Sequence, residues 1–440
     1  MKEQVVNKIF EDLKNRGSNI SQTEGENLKE EFLKLEKKDI GLKEIALNIS
    51  KNIKDLTEEF LSKKNKFDVN YVSGISSCIY FPSFNGNGEI KLKFIGGNRS
   101  RYRDLIVDEN TLFDVASITK LYTLILAFEF ERLGLISLDD KISDLNSDYK
   151  NLNDFTFNDL IRLCGELRTD GNVATASSQE EAYRILKTMF LASDDRSVNK
   201  YTDFGAIVIG ETLSKVVKNT YLEDLSYEEL INMFIIEPLG LSNTMFNPQL
   251  KGFYNITGNN GLAVHDRKAR VLGGAIGSAG LFTTSEDLSR LAKAMFSVKY
   301  LNPNFLNKKY LGRFGEITFP DSPSSNKGNL GIYVKHPLGF VKTYTPSEFS
   351  TGSFSHQGWT GSLATFDPNN LIHQNILVNS IYESDNKDEI RNDKPIGFGG
   401  AFDEYLKELT KQTMLLYLAK RYYNSYCNDK SDIDNIERTR

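Results

Sequence analysis

Long apolar runs and cysteine are both scarce in this sequence of 440 residues. No run of about 18 uncharged apolar residues occurs, so no membrane-spanning helix is expected. The stretch 1–19 is charged throughout and lacks the apolar centre of a secretory signal, which predicts a cytoplasmic protein. Cys78, Cys164 and Cys427 lie far apart, a spacing that gives no disulfide framework and suits a reducing compartment.

The sequence also lacks the patterns of metal, phosphate and dinucleotide sites. Its four histidines show neither the H-E-x-x-H spacing nor a paired-cysteine motif, so we expect no metal. There is no G-x-x-x-x-G-K-S/T loop, no G-x-G-x-x-G after a strand and no G-x-S-x-G nucleophile elbow, so no cofactor and no α/β-hydrolase fold are expected. The net charge of −5 offers no cationic field for nucleic acid or an anionic membrane, which leaves a small molecule or short peptide as the expected substrate. Oligomeric state is not fixed by these features.

A serine and a lysine three residues apart, Ser117 and Lys120, are the most informative feature that is present. An amine on the same helix face can take or relay the serine proton, which indicates acyl transfer. The S-x-x-K spacing recurs four times elsewhere, but only Ser117 precedes a long apolar stretch, 121–128, typical of a buried helix. The first turn of such a helix offers free N–H groups to an oxyanion. From the helix alone, a capping serine and a solvent-reaching lysine explain the pair equally well.

Periodicity predicts three regions along the chain. Residues 1–45 form an N-terminal helical extension with Leu28, Phe32 and Leu35 at helical spacing, and 426–440 form a polar tail. Between them lies one domain, with an α/β part at about 46–116 and 330–425 and a helical part at about 117–329. The fold class is therefore α+β: an antiparallel sheet flanked by N- and C-terminal helices, with a mainly helical subdomain inserted. Ser117 falls at the junction, where clefts usually form.

The individual elements follow from alternating or helical hydrophobic patterns. Strands are predicted at 69–81, 90–95, 330–335, 353–356, 361–367 and 375–381. Helices are predicted at 45–63, 157–164, 179–191, 204–217, 227–236, 285–296 and 402–423.

Three separated motifs then carry a family resemblance. They are Ser117-Ile118-Thr119-Lys120, Tyr201-Thr202-Asp203 before a helix, and His356-Gln357-Gly358 on a late strand that leads into Trp359. In their order and wide spacing the chain resembles the serine β-lactamase and penicillin-binding-protein superfamily, in particular the class C β-lactamase-like branch of esterases and D-amino-acid-specific peptidases. The resemblance extends from about residue 45 to 423.

The resemblance implies a set of catalytic roles. Ser117 would be the acylated nucleophile, Lys120 its activating partner, and Tyr201 the general base that later gives its proton to the leaving group. The backbone N–H groups of Ser117 and Trp359 would form the oxyanion hole. Taken alone, Tyr201 fits a buried core tyrosine better than a catalytic one, and only the other two motifs favour catalysis.

Two motif positions depart from the family pattern. Asp203 stands where asparagine is common, and a carboxylate there would pair with Lys120 and keep it protonated, which favours Tyr201 as the base. His356 stands where lysine is usual, which weakens the positive site that receives a β-lactam or peptide carboxylate. With Gly358, which lets the chain pass close, Asp203 and His356 are the predicted substrate-binding residues, although His356 also fits a packed strand residue.

The functional expectation is a cytoplasmic serine hydrolase that cleaves a small ester or amide, for example a D-amino-acid peptide or amide. The alternatives are a D,D-peptidase or β-lactamase acting on cell-wall peptides or β-lactams, and a catalytically silent relative that binds a ligand.

Overall fold

A computed structural model describes most of the chain. The described residues are 2–18, 20–36, 41–64, 72–83, 88–100, 105–193, 201–257, 264–297, 306, 308–314, 333–334, 345–346, 348–380 and 400–426. The α-helices are α1 Lys2–Asn15, α2 Gln22–Glu36, α3 Leu42–Ser62, α4 Thr119–Arg132, α5 Ile142–Leu145, α6 Phe157–Ile161, α7 Gln179–Leu186, α8 Phe204–Tyr221, α9 Tyr227–Ile231, α10 Glu237–Leu239, α11 Arg267–Val271, α12 Ser285–Ser297, α13 Lys308–Phe314 and α14 Gly400–Tyr426. The strands are β1 Gly74–Phe81, β2 Ile90–Gly97, β3 Phe113–Asp114, β4 Glu166–Arg168, β5 Phe190–Ser193, β6 Met245–Phe246, β7 Leu281–Thr283, β8 Tyr333–Val334, β9 Phe354–Gln357, β10 Leu363–Asp367 and β11 Ile372–Val378.

A six-stranded sheet in the order β2-β1-β11-β10-β9-β8 forms the centre of the fold. Every neighbouring pair in it is antiparallel. The early hairpin β1–β2 therefore joins the late strands through the β1–β11 pair, as the sequence predicts, and the helical middle of the chain is inserted between the early and late strands. The predicted α+β architecture is confirmed.

Each face of the sheet packs against a separate group of helices. Side chains of successive strand residues point to opposite faces, so Leu363 and Ile376 join the core under α3 and α14, whereas Ala364 and Leu377 join the core around α4 and α8. Burial on both faces explains why all eight residues of β1 are buried. The nucleophile motif thus lies at the edge of the larger, helical core.

Helices α1 and α2 belong to the core under α14. Val6, Leu13 and Phe32 are almost fully buried in it, and the Phe32 ring meets Tyr422 edge-on at 5.5 Å. An ion pair of 2.6 Å joins Asp12 to Arg421. No helix among the described residues is long and apolar enough to cross a bilayer.

Several predicted element boundaries are wrong. The helix predicted over 179–191 ends at Leu186, and Phe190–Ser193 forms β5, which pairs with β4. The helix predicted over 157–164 ends at Ile161, because Leu163 adopts a left-handed conformation at φ 59°. The last strand begins at Ile372, before the predicted 375, directly after a left-handed residue. Residues 69–71, 330–332, 335 and 381, which are predicted to lie in strands, are outside the described residues, and so are residues 427–440 of the predicted polar tail, including Cys427.

Candidate active site

Ser117 is held in a short 3₁₀ turn, Ala116–Ile118, that joins β3 to α4. Ala116 has a φ of 44°, a left-handed conformation that costs free energy for a residue with a side chain. The Asp114 carboxylate offsets this cost, because its Oδ1 accepts the Ala116 N–H at 2.9 Å. The turn therefore presents Ser117 just ahead of the first turn of α4.

Asp114 is itself fixed by a buried histidine. Its Oδ2 accepts hydrogen bonds from the backbone N–H of His265 at 2.8 Å and contacts His265 Nδ1 at 2.9 Å. Both side chains are almost fully buried. His265 thus holds the Asp114 carboxylate in place through its backbone N–H and its ring.

Lys120 contributes all three of its ammonium hydrogens to the site. Its Nζ donates to Ser117 Oγ at 2.8 Å, to Asp203 Oδ1 at 2.8 Å and to the Ser278 carbonyl at 3.2 Å. An ammonium has three donors and no lone pair, so three acceptors match the protonated form. Burial lowers the pKa of Lys120, but the Asp203 carboxylate and the Tyr201 hydroxyl outweigh it and raise the pKa above its ordinary value.

Tyr201 approaches Ser117 from the opposite side. Its hydroxyl donates to Ser117 Oγ at 3.0 Å, and its ring centroid lies 5.0 Å from Lys120 Nζ. The side chain is 43% exposed, so it borders the cleft instead of filling the core. The three residues predicted to be catalytic are therefore brought together around one oxygen.

Asp203, at the N-terminus of α8, is shared by two lysines. Oδ1 accepts from Lys120 at 2.8 Å, and Oδ2 accepts from Lys268 at 2.7 Å. Burial opposes ionisation of Asp203, but the two ammonium groups hold the pKa of its carboxyl well below the usual range. Substrate contact was predicted for Asp203, and the structure shows both of its oxygens engaged by this chain's own side chains.

The turn after β9 packs directly against the residues before Ser117. A Cβ atom on Gly358 would lie 2.4 Å from the carbonyl oxygen of Val115, so only glycine fits. Thr360 Oγ1 donates to the Asp114 carbonyl at 2.7 Å. Between them, the backbone N–H of Trp359 donates to none of the residues that the structure describes. This turn is where an oxyanion hole shared by Ser117 and Trp359 would form.

His356 is a buried residue of the strand before this turn. It is 2% exposed within β9, opposite Ala364 of β10, and its Nδ1 contacts the Gln357 carbonyl at 3.1 Å. Substrate contact by His356 stays a prediction.

A cleft of about 470 Å³ opens beside Tyr201. Arg168, Asp203 and Lys268 line it, together with Thr202. Arg168 donates through Nε and Nη2 to Glu166, whose side chain borders a neighbouring hollow. The cleft therefore has a charged wall next to the catalytic hydroxyl groups.

Sequence reasoning missed Lys268 and Asp114. Lys268 has no spacing relation to Ser117 or Tyr201 that would mark it in the sequence. Asp114 stands three residues before Ser117 and could have been noticed as a turn-stabilising carboxylate. In the described part of the chain, no group of three or more His, Cys, Asp or Glu side chains could hold a metal ion.

A comparison with known families agrees with this geometry. The sequence profile of the family described as Beta-lactamase matches residues 86–397. The chain belongs to the β-lactamase family. It is an enzyme of the serine hydrolase class, as the three motifs predicted.

Individual relatives of this β-lactamase-family enzyme carry several descriptions. A putative D-alanyl-D-alanine carboxypeptidase of Salmonella agona is 26% identical over 321 residues, which are 62% of this chain and 71% of the relative. Among solved structures, EstCE1, described as a hydrolase with promiscuous acyltransferase activity, has a TM-score of 0.59 and 15% identity, covering 85% of this chain and 99% of its own. A class C β-lactamase in complex with cefoxitin has a TM-score of 0.57 and 16% identity, covering 86% and 99%. These structures show a shared fold.

Proposed function

We propose that this enzyme cleaves a small ester or amide through an acyl-enzyme on Ser117. The observation that carries the proposal is the convergence of Lys120 Nζ and the Tyr201 hydroxyl on Ser117 Oγ, at 2.8 and 3.0 Å. Both distances are hydrogen-bond lengths over which a nucleophile can be activated.

The proposed reaction follows from which group can accept a proton. Lys120 is held as an ammonium, so the base is Tyr201. Once the Tyr201 hydroxyl has given its own proton to solvent, the phenolate oxygen takes the Ser117 proton while Oγ bonds to the substrate carbonyl carbon. The carbonyl oxygen becomes an oxyanion, which the N–H groups of Ser117 and Trp359 would stabilise. The carbon–leaving-group bond then breaks, and the leaving group receives the proton from Tyr201. Water repeats the same steps to release the acid and free Ser117.

Neutral esters and amides suit the site better than β-lactams. The position that receives the substrate carboxylate in the resembled enzymes is His356 here, and its ring is buried and contacts the Gln357 backbone carbonyl. A D-amino-acid carboxypeptidase is the second candidate, because the Salmonella agona relative bears that description.

Covalent labelling tests the nucleophile. We expect an uncharged fluorophosphonate to add once to the wild-type protein, as read by intact mass, and to leave Ser117→Ala unmodified. Ser147→Ala is the matched control, because Ser147 heads another S-x-x-K spacing and lies in a surface turn. Labelling that persists in Ser117→Ala would refute the assignment, and an unlabelled wild type would favour a catalytically silent relative.

A substrate panel separates the candidates. We expect turnover of short p-nitrophenyl esters or D-amino-acid amides and little hydrolysis of nitrocefin. Release of the C-terminal residue from D-alanyl-D-alanine peptides, with slow ester turnover, would favour the carboxypeptidase.

The cytoplasm is our proposed compartment. Both described cysteines, Cys78 and Cys164, are free and buried. Unpaired thiols are typical of a reducing environment. Fractionation of cells producing the protein, with immunodetection, would test this.

A further inference from the structure

Lys268 is the part of the site that the reaction above does not use. It lies in α11, and its Nζ pairs with Asp203 Oδ2 at 2.7 Å while Lys120 occupies Oδ1. Its side chain remains 26% exposed and lines the 470 Å³ cleft beside Tyr201. Lys268 therefore joins the solvent-facing wall of the cleft to the buried ammonium next to the nucleophile.

The charges around Ser117 explain why the contact of Lys268 with Asp203 matters for acylation. Two negative charges develop during acylation, one on the Tyr201 oxygen when it is a base and one on the substrate oxyanion, and a nearby positive charge stabilises both. Asp203 alone would cancel the charge of Lys120. With Lys268 on its second oxygen, the group of three side chains keeps a charge of about +1.

The other charged groups near this cluster do not replace Lys268. Asp266, the N-cap of α11, is a buried carboxyl that makes the surroundings more negative. Arg168 and Glu166, on β4 across the cleft, pair with each other. Among the described residues, the two cations that pair with Asp203 are therefore Lys120 and Lys268.

We propose that Lys268 is a positioning residue for acylation: by pairing with Asp203 it keeps the Ser117–Lys120–Tyr201 cluster positively charged and Asp203 directed at Lys120. This inference rests on the proposed function. It explains how the site can carry an aspartate where related enzymes have the neutral asparagine, because the second lysine offsets the added negative charge.

The test measures the second-order rate constant for acylation of Ser117 by an uncharged fluorophosphonate between pH 5 and 10. The variants are Lys268→Met, Lys268→Arg and the double variant Asp203→Asn/Lys268→Met. Lys93→Met is the matched control: Lys93 forms a 2.7 Å pair with Glu286, and the two side chains are 27% and 22% exposed, against 26% and 23% for Lys268 and Asp203. The melting temperature of each variant is recorded alongside.

We expect Lys268→Met to slow acylation on the order of tenfold at neutral pH. The loss should depend on pH, because losing a cation disfavours the deprotonated base. Lys268→Arg should keep most of the rate. The double variant should regain much of it, since an asparagine needs no second lysine. Lys93→Met should acylate at the wild-type rate.

Three results would overturn the inference while leaving the proposed function standing. They are a wild-type rate in Lys268→Met, an equal loss at every pH without recovery in the double variant, and an Lys268→Arg loss as large as that of Lys268→Met. Absence of labelling in the wild type would instead refute the acyl-enzyme itself.

Discussion

A single ammonium group organises the reacting atoms of this enzyme. Lys120 Nζ donates to a nucleophile, a carboxylate and a backbone carbonyl at once. Each hydrogen has its own acceptor, so losing a proton would leave an oxygen without a donor in a buried place. In the proposed reaction the lysine therefore acts through its charge and its fixed direction, and Tyr201 carries the proton.

The absence of a side chain at Gly358 is as important as the charge on Lys120. In Gly358→Ala, the new methyl group would meet the Val115 carbonyl oxygen at 2.4 Å, so the turn carrying Trp359 must move away from Ser117. We expect acylation by an ester to slow on the order of 100-fold, the usual effect of losing one oxyanion donor. Stopped-flow or steady-state release of p-nitrophenol would measure it.

Gly41→Ala is the control for this prediction, because a Cβ atom there meets nothing within 4 Å. An unchanged rate in Gly358→Ala would show that Trp359 contributes no hydrogen bond to the oxyanion.

The residues proposed to react stand in motifs that the sequence shows, whereas the residues that support them do not. Ser117, Lys120 and Tyr201 stand in short motifs whose chemistry limits the residues that fit. Lys268 is one of many lysines, and only folding brings it to Asp203. The left-handed Ala116 has no sequence signal at all, because alanine rarely adopts this conformation.

At the scale of elements, α8 connects the site to a second buried polar group. Asp203 begins the helix, and two turns later Glu211 accepts a 2.5 Å hydrogen bond from the Tyr149 hydroxyl. Burial raises the pKa of Glu211 to about 7. The helix therefore carries an ionised acid at its start and an acid that is half protonated near neutral pH in its middle.

This raised pKa predicts a pH-dependent stability. The folded pKa of Glu211 lies above its ordinary value of 4.5, so its stabilising contribution is complete below pH 4.5 and is lost as the pH rises through about 7. Glu211→Gln cannot ionise and should flatten that decline, with a gain of at most about 3 kcal/mol above pH 7. Urea unfolding at several pH values would measure it.

The pKa of Glu286 is shifted in the opposite direction to that of Glu211. Although burial opposes it, ion pairs with Lys93 and Lys91 lower the pKa of Glu286 to about 2. Ionised Glu286 stabilises the fold fully above pH 4.5, and this stabilisation is lost as the pH falls through about 2. Glu286→Gln should therefore be less stable than the wild type at neutral pH. The same sign of change in both variants at neutral pH would contradict the raised pKa of Glu211.

Elements with strong hydrophobic periodicity were predictable, and those that depend on distant partners were not. The long helices α4, α8, α12 and α14 follow the apolar pattern of the sequence. Strand β5 was assigned to a helix because its pairing partner, β4, lies more than 20 residues earlier in the chain. Local patterns contain no information about such a partner.

At the scale of the whole molecule, the first helices complete one of the two cores. The sequence predicts an accessory helical extension at 1–45. In the structure, Val6, Leu13 and Phe32 of this extension pack beneath α14. Gly17 also lies against Thr351, ahead of β9, and the Thr351 N–H donates to the Arg16 carbonyl at 2.9 Å. The extension thus supports the sheet that carries the Trp359 turn.

Truncating Phe32 should therefore lower the free energy of unfolding without changing the acylation rate. Phe32→Ala removes a fully buried ring that contacts Tyr422, and we expect a loss of roughly 3–5 kcal/mol in unfolding free energy. The acylation rate of the folded fraction at low temperature should stay near wild type. Differential scanning calorimetry and fluorophosphonate labelling would measure the two quantities.

The matched control is Leu47→Ala in α3, whose side chain is 42% exposed and should lose little stability. Equal stability of Phe32→Ala and the wild type would indicate that α1 and α2 do not support the fold.

The order of strands in the sheet has a consequence for how the protein is made. Strand β11 lies between β1 and β10. The edge of β1 that faces β11 therefore stays unpaired until β11 has been synthesised, long after β1. A growing chain exposes that apolar edge throughout translation, and an interrupted product never covers it. Premature termination should therefore yield aggregates that a cell must remove, and slow ribosomes should increase the demand for chaperones.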